Sequence, residues 1–331
     1  MALEQLGEVR TGSGTVLLVD MGLLNLWSHD RPPLMPDGIF EAGVTAIANS
    51  ARDFRAEGAD AERACRLLDR QRTPRHVFDI PATGVQKLQH DFAAVVSAHR
   101  LEAGLMPVVP RVSHLARTRL VGDGGEFLMH GVPCVAVTDA PIGRELSVWG
   151  DRSGDRWSWV ALAFQRDAVV AHSEPLGSVA VDWARLMFVD PVALGVWRHE
   201  APIDGRADFL LWGRDAEAVA QRFHVPPLGG GQFGFLNGPV DEVARRAAPI
   251  DDLRSTGSLK FAIDFRPHSH HWQLMEQVRA SPTESGTLEL DGTTCCAFMT
   301  SWGDGVFPVS RDLDDAGNTV GISIDFEAVS R

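Results

Sequence analysis

The chain has 331 residues, 44% apolar and 23% charged, with a formal net charge of −13 at pH 7. These proportions fit a globular protein with room for two domains or one duplicated unit. They argue against a nucleic-acid surface, which wants clustered Lys and Arg, and no apolar run reaches the roughly 18 residues of a membrane helix. The opening MALEQLGEVRTGSG lacks the basic-then-apolar order of a signal peptide, so the expected location is cytoplasmic.

In chain order, TVLLVD (residues 15–20) reads as a strand. It opens a pattern, V-D-x-x-x-L-x-x-W-x-H-[DE]-x-P, carried by Val19, Asp20, Leu24, Trp27, His29, Asp30 and Pro32. DAERACRLLDRQ and GVQKLQHDFAAVVSAHRL follow, with apolar residues at helical spacing. GEFLMHGVPCVAVT reads as a hairpin turning at MHG, and VALAF as a closing strand.

The same order then recurs. RLMFVD leads into Val189, Asp190, Leu194, Trp197, His199, Glu200 and Pro202, set 170 residues after their counterparts. DAEAVAQRF and PVDEVARRAA are the matching helices. GTLELDGTTCCAFMT is the matching hairpin, with Cys295 set 161 residues after Cys134, and ISIDF follows VALAF by 162. The expectation is an α+β fold of two homologous halves, 15–165 and 183–330, with largely antiparallel sheets related by a pseudo-twofold. A β-meander is expected to close each half. Cys65, Cys134, Cys295 and Cys296 show no metal-binding spacing and are expected as buried, reduced thiols.

The stretch SWGDGVFPVSRDLDDAGNTVGISIDF (residues 301–326), with the strand ending in Asp190-Pro191, resembles a bacterial family catalogued as domain of unknown function 4241. The resemblance covers the second half and reaches the first through the repeat. It implies a fold without an assigned activity. By analogy with relatives beside toxin systems, it implies a binding or immunity role.

The densest cluster of chemical groups is DFRPHSHHW. Pro267 and the preceding KFAIDF favour an extended backbone, which would put His268 and His270 on one face. With Glu276, the H-x-H spacing resembles a cupin metal motif, but no later histidine completes it, so no metal is expected. No phosphate loop, dinucleotide fingerprint or nucleophile elbow occurs, so no cofactor is expected. Ser113 and His114 match Ser269 and His270, whereas His268 and His271 have no counterpart in the first half.

The candidate site is therefore in the second half. His268, His270, His271 and Asp304 are the acid–base groups, and Arg266, Trp272 and Trp302 bind substrate. The expected function is a cofactor-poor enzyme that acts on a small molecule by histidine acid–base chemistry in the second half. The alternative is a non-catalytic, immunity-like protein that binds a basic protein partner. His29 and His199 are expected to be structural.

Overall fold

The computed structural model describes residues 3–34, 50–68, 73–166 and 168–328. The fold is α+β with antiparallel sheets, 41% strand against 25% helix. The chain divides into two compact units, Met1–Val196 with Gln277–Arg331, and Trp197–Glu276.

Two six-stranded sheets carry the first unit. One has the order β1 (Glu4–Val9), β8 (Leu146–Ser153), β9 (Arg156–Ala163), β19 (Thr319–Asp325), β18 (Gly305–Leu313) and β10 (His172–Val181). The other has the order β16 (Ser285–Leu290), β17 (Thr293–Met299), β11 (Arg185–Val189), β2 (Val16–Asp20), β7 (Val132–Val137) and β6 (Gly124–Met129). The edge strand β6 alternates buried and half-buried residues, whereas the central strands β2 and β11 are buried almost throughout. The inward residues meet in one core containing Leu18, Val135, Trp157, Phe188, Phe307 and Ile324.

Exchanging β1 with β10, β8 with β18 and β9 with β19 leaves the first order unchanged. Exchanging β2 with β11, β6 with β16 and β7 with β17 does the same for the second. At the middle of each sheet, residues matched in the repeat face each other, Leu18 opposite Phe188 and Ala161 opposite Ser323. The two hairpins MHG and LDG turn alike. His130 and Gly131 have φ of 52° and 84°, Asp291 and Gly292 have 50° and 72°. Two successive positive φ values suit the right-handed twist of a two-residue hairpin, and glycine takes the second at no steric cost.

The first unit also holds a small module with strand order β4 (His76–Ile80), β3 (Arg52–Glu57), β5 (Gly104–Val108). Against it pack α1 (Ala61–Leu67) and α2 (Val85–His99), through Phe54, Ala64, Leu88 and Phe92. The tail of the first predicted helix, from residue 69, lies outside the described residues. A third helix, α3 (His114–Leu120), precedes β6.

The second unit repeats that plan around its own core of Phe209, Val219, Phe235, Val243 and Ile250. Its sheet runs β13 (Pro227–Gly229), β14 (Gln232–Pro239), β12 (Arg206–Trp212), β15 (Ala262–Pro267), with α4 (Ala216–Phe223) and α5 (Val240–Ser255). The helix α6 (His270–Ala280) starts after β15.

Two expectations change here. The compact units do not follow 15–165 and 183–330, because strands from both spans share both large sheets. No single meander closes either half. β6 and β7 pair in one sheet and β8 and β9 in the other, and the second half divides in the same way. All four cysteines are free and buried, and burial pushes the Cys65 thiol up to about 11. Among the described residues no helix is long and apolar enough to cross a membrane.

The V-D of the repeat is a buried carboxylate at the end of each central strand. Asp20 accepts the Gly22 amide at 2.8 Å, then reaches the loop before β11 for the amides of Asp182 and Trp183, at 2.7 and 3.0 Å. Asp190 accepts the Val192 amide at 2.8 Å and reaches the loop before β2 for those of Gly12 and Ser13, both at 2.8 Å. The hydroxyls of Thr11 and Ser13 also donate to it. Both carboxylates are nearly inaccessible. Removing either leaves several part-buried N–H groups without their acceptor, each costing about 1–3 kcal/mol where water cannot replace it. Asp20→Ala and Asp190→Ala are each expected to lose about 3 kcal/mol or more in urea unfolding. Asp155→Ala, on an exposed turn, should lose under about 0.5 kcal/mol.

Candidate functional site

Pro267 ends β15, and the chain turns into a helix at His270. Ser269 makes this turn. Its hydroxyl accepts the Trp272 amide at 3.1 Å and its carbonyl the Gln273 amide at 3.0 Å, as a helix-capping serine does. His268 and His270 therefore do not share a strand face, which corrects the sequence expectation. The cap competes with the strand and prevails because it satisfies the amides that open α6.

His268 is almost fully buried, its ring stacked on Trp272 with centroids 4.6 Å apart. Its Nδ1 lies 2.9 Å from Asp204 Oδ2 and its Nε2 3.2 Å from Asp208 Oδ1. Two carboxylates on one imidazole favour the imidazolium, in which both nitrogens donate. Burial works against that charge, but the hydrogen bonds and charges of Asp204 and Asp208 prevail and raise its pKa above the ordinary histidine value. In return, His268 holds the exposed Asp204 carboxyl below its usual range.

His270 does a different job. Its Nδ1 accepts the Arg198 amide at 2.9 Å, and its ring stacks on Trp197 at 5.8 Å. An accepting Nδ1 fixes the neutral tautomer with the proton on Nε2. Burial, then the nearby Arg198 charge, lowers its pKa. His271 stacks on His199 at 4.2 Å, and the Trp197 indole donates to His199 Nδ1 at 3.3 Å. Arg266 pairs with Asp264 two residues back on β15.

Trp302 and Asp304 belong to the other compact unit, on the turn between β17 and β18. The Trp302 indole donates to the Trp157 carbonyl at 2.6 Å and is covered by the Arg156 guanidinium at 4.7 Å. Asp304 is exposed beside it. Of the predicted site residues, the fold groups His268, His270, His271, Arg266 and Trp272 in one unit and Trp302 with Asp304 in the other. Among the described residues no three His, Cys, Asp or Glu side chains are grouped to hold a metal ion.

The retained Ser-His pair has the same place in both spans. Ser113 caps α3 by accepting the Ala116 amide at 3.2 Å, and His114 Nδ1 accepts the Ser28 amide at 3.0 Å beside Trp27. Complete burial, with Arg117 nearby, pushes His114 well below the ordinary histidine value. Both histidines are thus receptors for the backbone of the W-x-H loop. His29 spans to the Val192 carbonyl at 3.2 Å.

One cluster went unrecognised in the sequence. On the first module, Arg117 is wholly buried and bonds Asp53 at 3.1 Å and Asp79 at 2.9 Å. Arg111 also pairs with Asp79. Burial alone would raise the Asp79 carboxyl, but the two guanidiniums outweigh it and hold it below the usual range. The available signal was Asp79 inside the apolar run of HVFDI, whereas RDFRAE is too charged to single out Asp53. The equivalent on the second unit is Asp208, with His268 as its cation. Asp79 and Asn237, at φ 56° and 55°, donate their amides to Asp53 and Asp208 in turn.

No family model, curated protein or solved structure matches the chain. The resemblance of residues 301–326 stands on its own residues.

The two kinds of histidine give opposite pH dependence. His268 binds its proton more tightly folded than unfolded, so its stabilisation is full below about pH 6.5 and is lost as pH rises through its raised value. His114 and His270 are held neutral, so their cost appears as pH falls below about 6.5, where the unfolded chain takes up protons. Thermal unfolding from pH 5 to 9 should show His268→Gln abolishing part of the alkaline loss, and His114→Gln part of the acid loss. Arg117→Met, which takes the buried guanidinium from Asp53 and Asp79 and leaves Arg111 as their cation, should cost about 3–5 kcal/mol in urea unfolding.

Proposed function

We propose that this chain is a non-catalytic binding protein made of two copies of one α+β unit, and that its partner is positively charged. The observation carrying the reading is His268, whose two ring nitrogens both rest on carboxylates. A general base needs an unprotonated nitrogen at working pH, and the carboxylates on both sides of this ring favour its protonated form. His270 spends its Nδ1 on a backbone amide. The row of histidines holds loops to helix starts, a role also played by His114 in the first half.

The net charge of −13 supports a basic partner, since complementary charge steers encounter. The two-copy part is supported by the strand orders, the facing of matched residues and the paired roles of Asp20 and Asp190. The family resemblance, with its implied binding role, agrees.

The ring nitrogens of His268 test the reading. In ¹⁵N spectra at pH 7, both are expected to show N–H character, with a titration midpoint above that of a free histidine. A pyridine-type nitrogen on His268 at pH 7 would return the row to acid–base chemistry and overturn the non-catalytic assignment.

A further inference from the structure

The outer face of the β1–β10 sheet carries a cleft of about 280 Å³ built entirely from the first unit. Trp149 and Trp159 contribute two indoles, and Leu3 and Val170 add apolar surface. Asp312, on β18, also lines it and is only 5% exposed. Ser173 and Ser323 donate their hydroxyls to Asp312 Oδ1, at 2.6 and 3.0 Å. Among the described residues no hydrogen bond reaches Oδ2. One oxygen is fixed by the two hydroxyls, while Oδ2 keeps contact with solvent.

The hollow arises from the sheet register. Asp312 faces Gly321 across the β18–β19 pair, whereas the matching pair of the first half is Asp151 and Trp159. Glycine puts no side chain beside Asp312. Even a Cβ there would come within 2.7 Å of the Leu162 carbonyl oxygen. A neighbouring hollow, sharing Gln165, Ala168 and Val320, adds the acids Asp314 and Asp315. Arg166 lies exposed at the edge of the main cleft.

We infer that this cleft binds a small organic ammonium ion, with the charged nitrogen on Asp312 Oδ2 and the apolar body between the indoles. The inference rests on the binding reading above and names the ligand's chemical class. A cation beside a carboxylate and an aromatic face gains from both, more so where water is excluded. A neutral alcohol could donate one hydrogen bond to Oδ2 but brings no charge to meet the carboxylate, and an anion would meet it with like charge. The volume suits a molecule of about ten heavy atoms.

Phenethylammonium titrated into the full-length protein provides the test, followed by tryptophan fluorescence and by the indole N–H signals of Trp149 and Trp159. Saturable binding is expected, with 2-phenylethanol, its neutral isostere, and 3-phenylpropionate each at least about tenfold weaker. Asp312→Asn keeps an oxygen for both serine hydroxyls and should fold, yet bind the amine about tenfold more weakly. Trp149→Leu, which leaves the carboxylate in place, should also weaken binding. It decides the matter if Asp312→Asn does not fold. Equal affinity for amine and alcohol, unchanged binding in either folded variant, or no binding at millimolar amine would each overturn the inference. The nitrogen spectra of His268 read a residue outside this cleft, so either result can fail without the other.

Discussion

The reciprocal grip of Asp20 and Asp190 is the constraint on which the rest of the fold depends. Each ends a central strand, caps the turn that follows and closes the loop leading into the other central strand. Because β2 and β11 pair directly, these bonds fix the register at the middle of one sheet. A slip of one residue would turn every inward side chain of a strand outward. It would also take both carboxylates away from their amides. Polar satisfaction and hydrophobic burial therefore select the same register, and the flanking strands build outward from it.

A second pair of carboxylates shows how equivalent positions have been given different chemistry. Asp53 and Asp208 both start from the inner strand of a small sheet and both accept an amide from a residue with positive φ. Asp53 is neutralised by the guanidinium of Arg117, which stays charged at any physiological pH. Asp208 is neutralised by the imidazolium of His268, which does not. One module is therefore tied by a permanent charge and the other by a titratable one. The two cations come from different positions after the third strand: on the match of Ser113 with Ser269, His268 corresponds to Val112 and Arg117 to Gln273.

Much of the architecture was legible because its causes are local or repetitive. Helical spacing in DAERACRL and in the two long helices located α1, α2 and α5, and the His-Gly and Asp-Gly turns marked their hairpins. Matched residues that face one another across a sheet had been paired in the sequence by their offsets alone. The split of each supposed meander between two sheets was not legible, because β7 and β8 are joined by a loop whose composition carries no record of the sheet change. The compact units escaped for a similar reason: strand alternation says which side is buried, not which strands are neighbours.

The candidate site was read with less success, and for a physical reason. Histidines are rare enough to draw attention, so a cluster of them looks like chemistry. Here Ser269 takes over the backbone as a cap, which rotates His268 and His270 onto different partners. Asp204 and Asp208, the acids that determine the state of His268, are 60 residues or more away in sequence. Asp312 gave no local sign at all, since its setting depends on a serine from β10 and a glycine opposite it on β19. Buried polar groups are defined by what the fold brings to them.

The facing of Leu18 with Phe188 and of Ala161 with Ser323 has a consequence for how such a molecule can originate. A residue that lies opposite its own counterpart is the hallmark of an isologous contact, the kind by which two identical subunits close a ring of two. On the proposed duplication, a gene encoding one copy would yield a chain with two unpaired central strand edges and a carboxylate reaching into empty space. Association with a second molecule would satisfy all of these together, so on that reading the single copy would have existed as a homodimer. Fusion of the genes makes assembly independent of protein concentration. It also allows each side of the former dimer to accept mutations that an identical partner would have had to share.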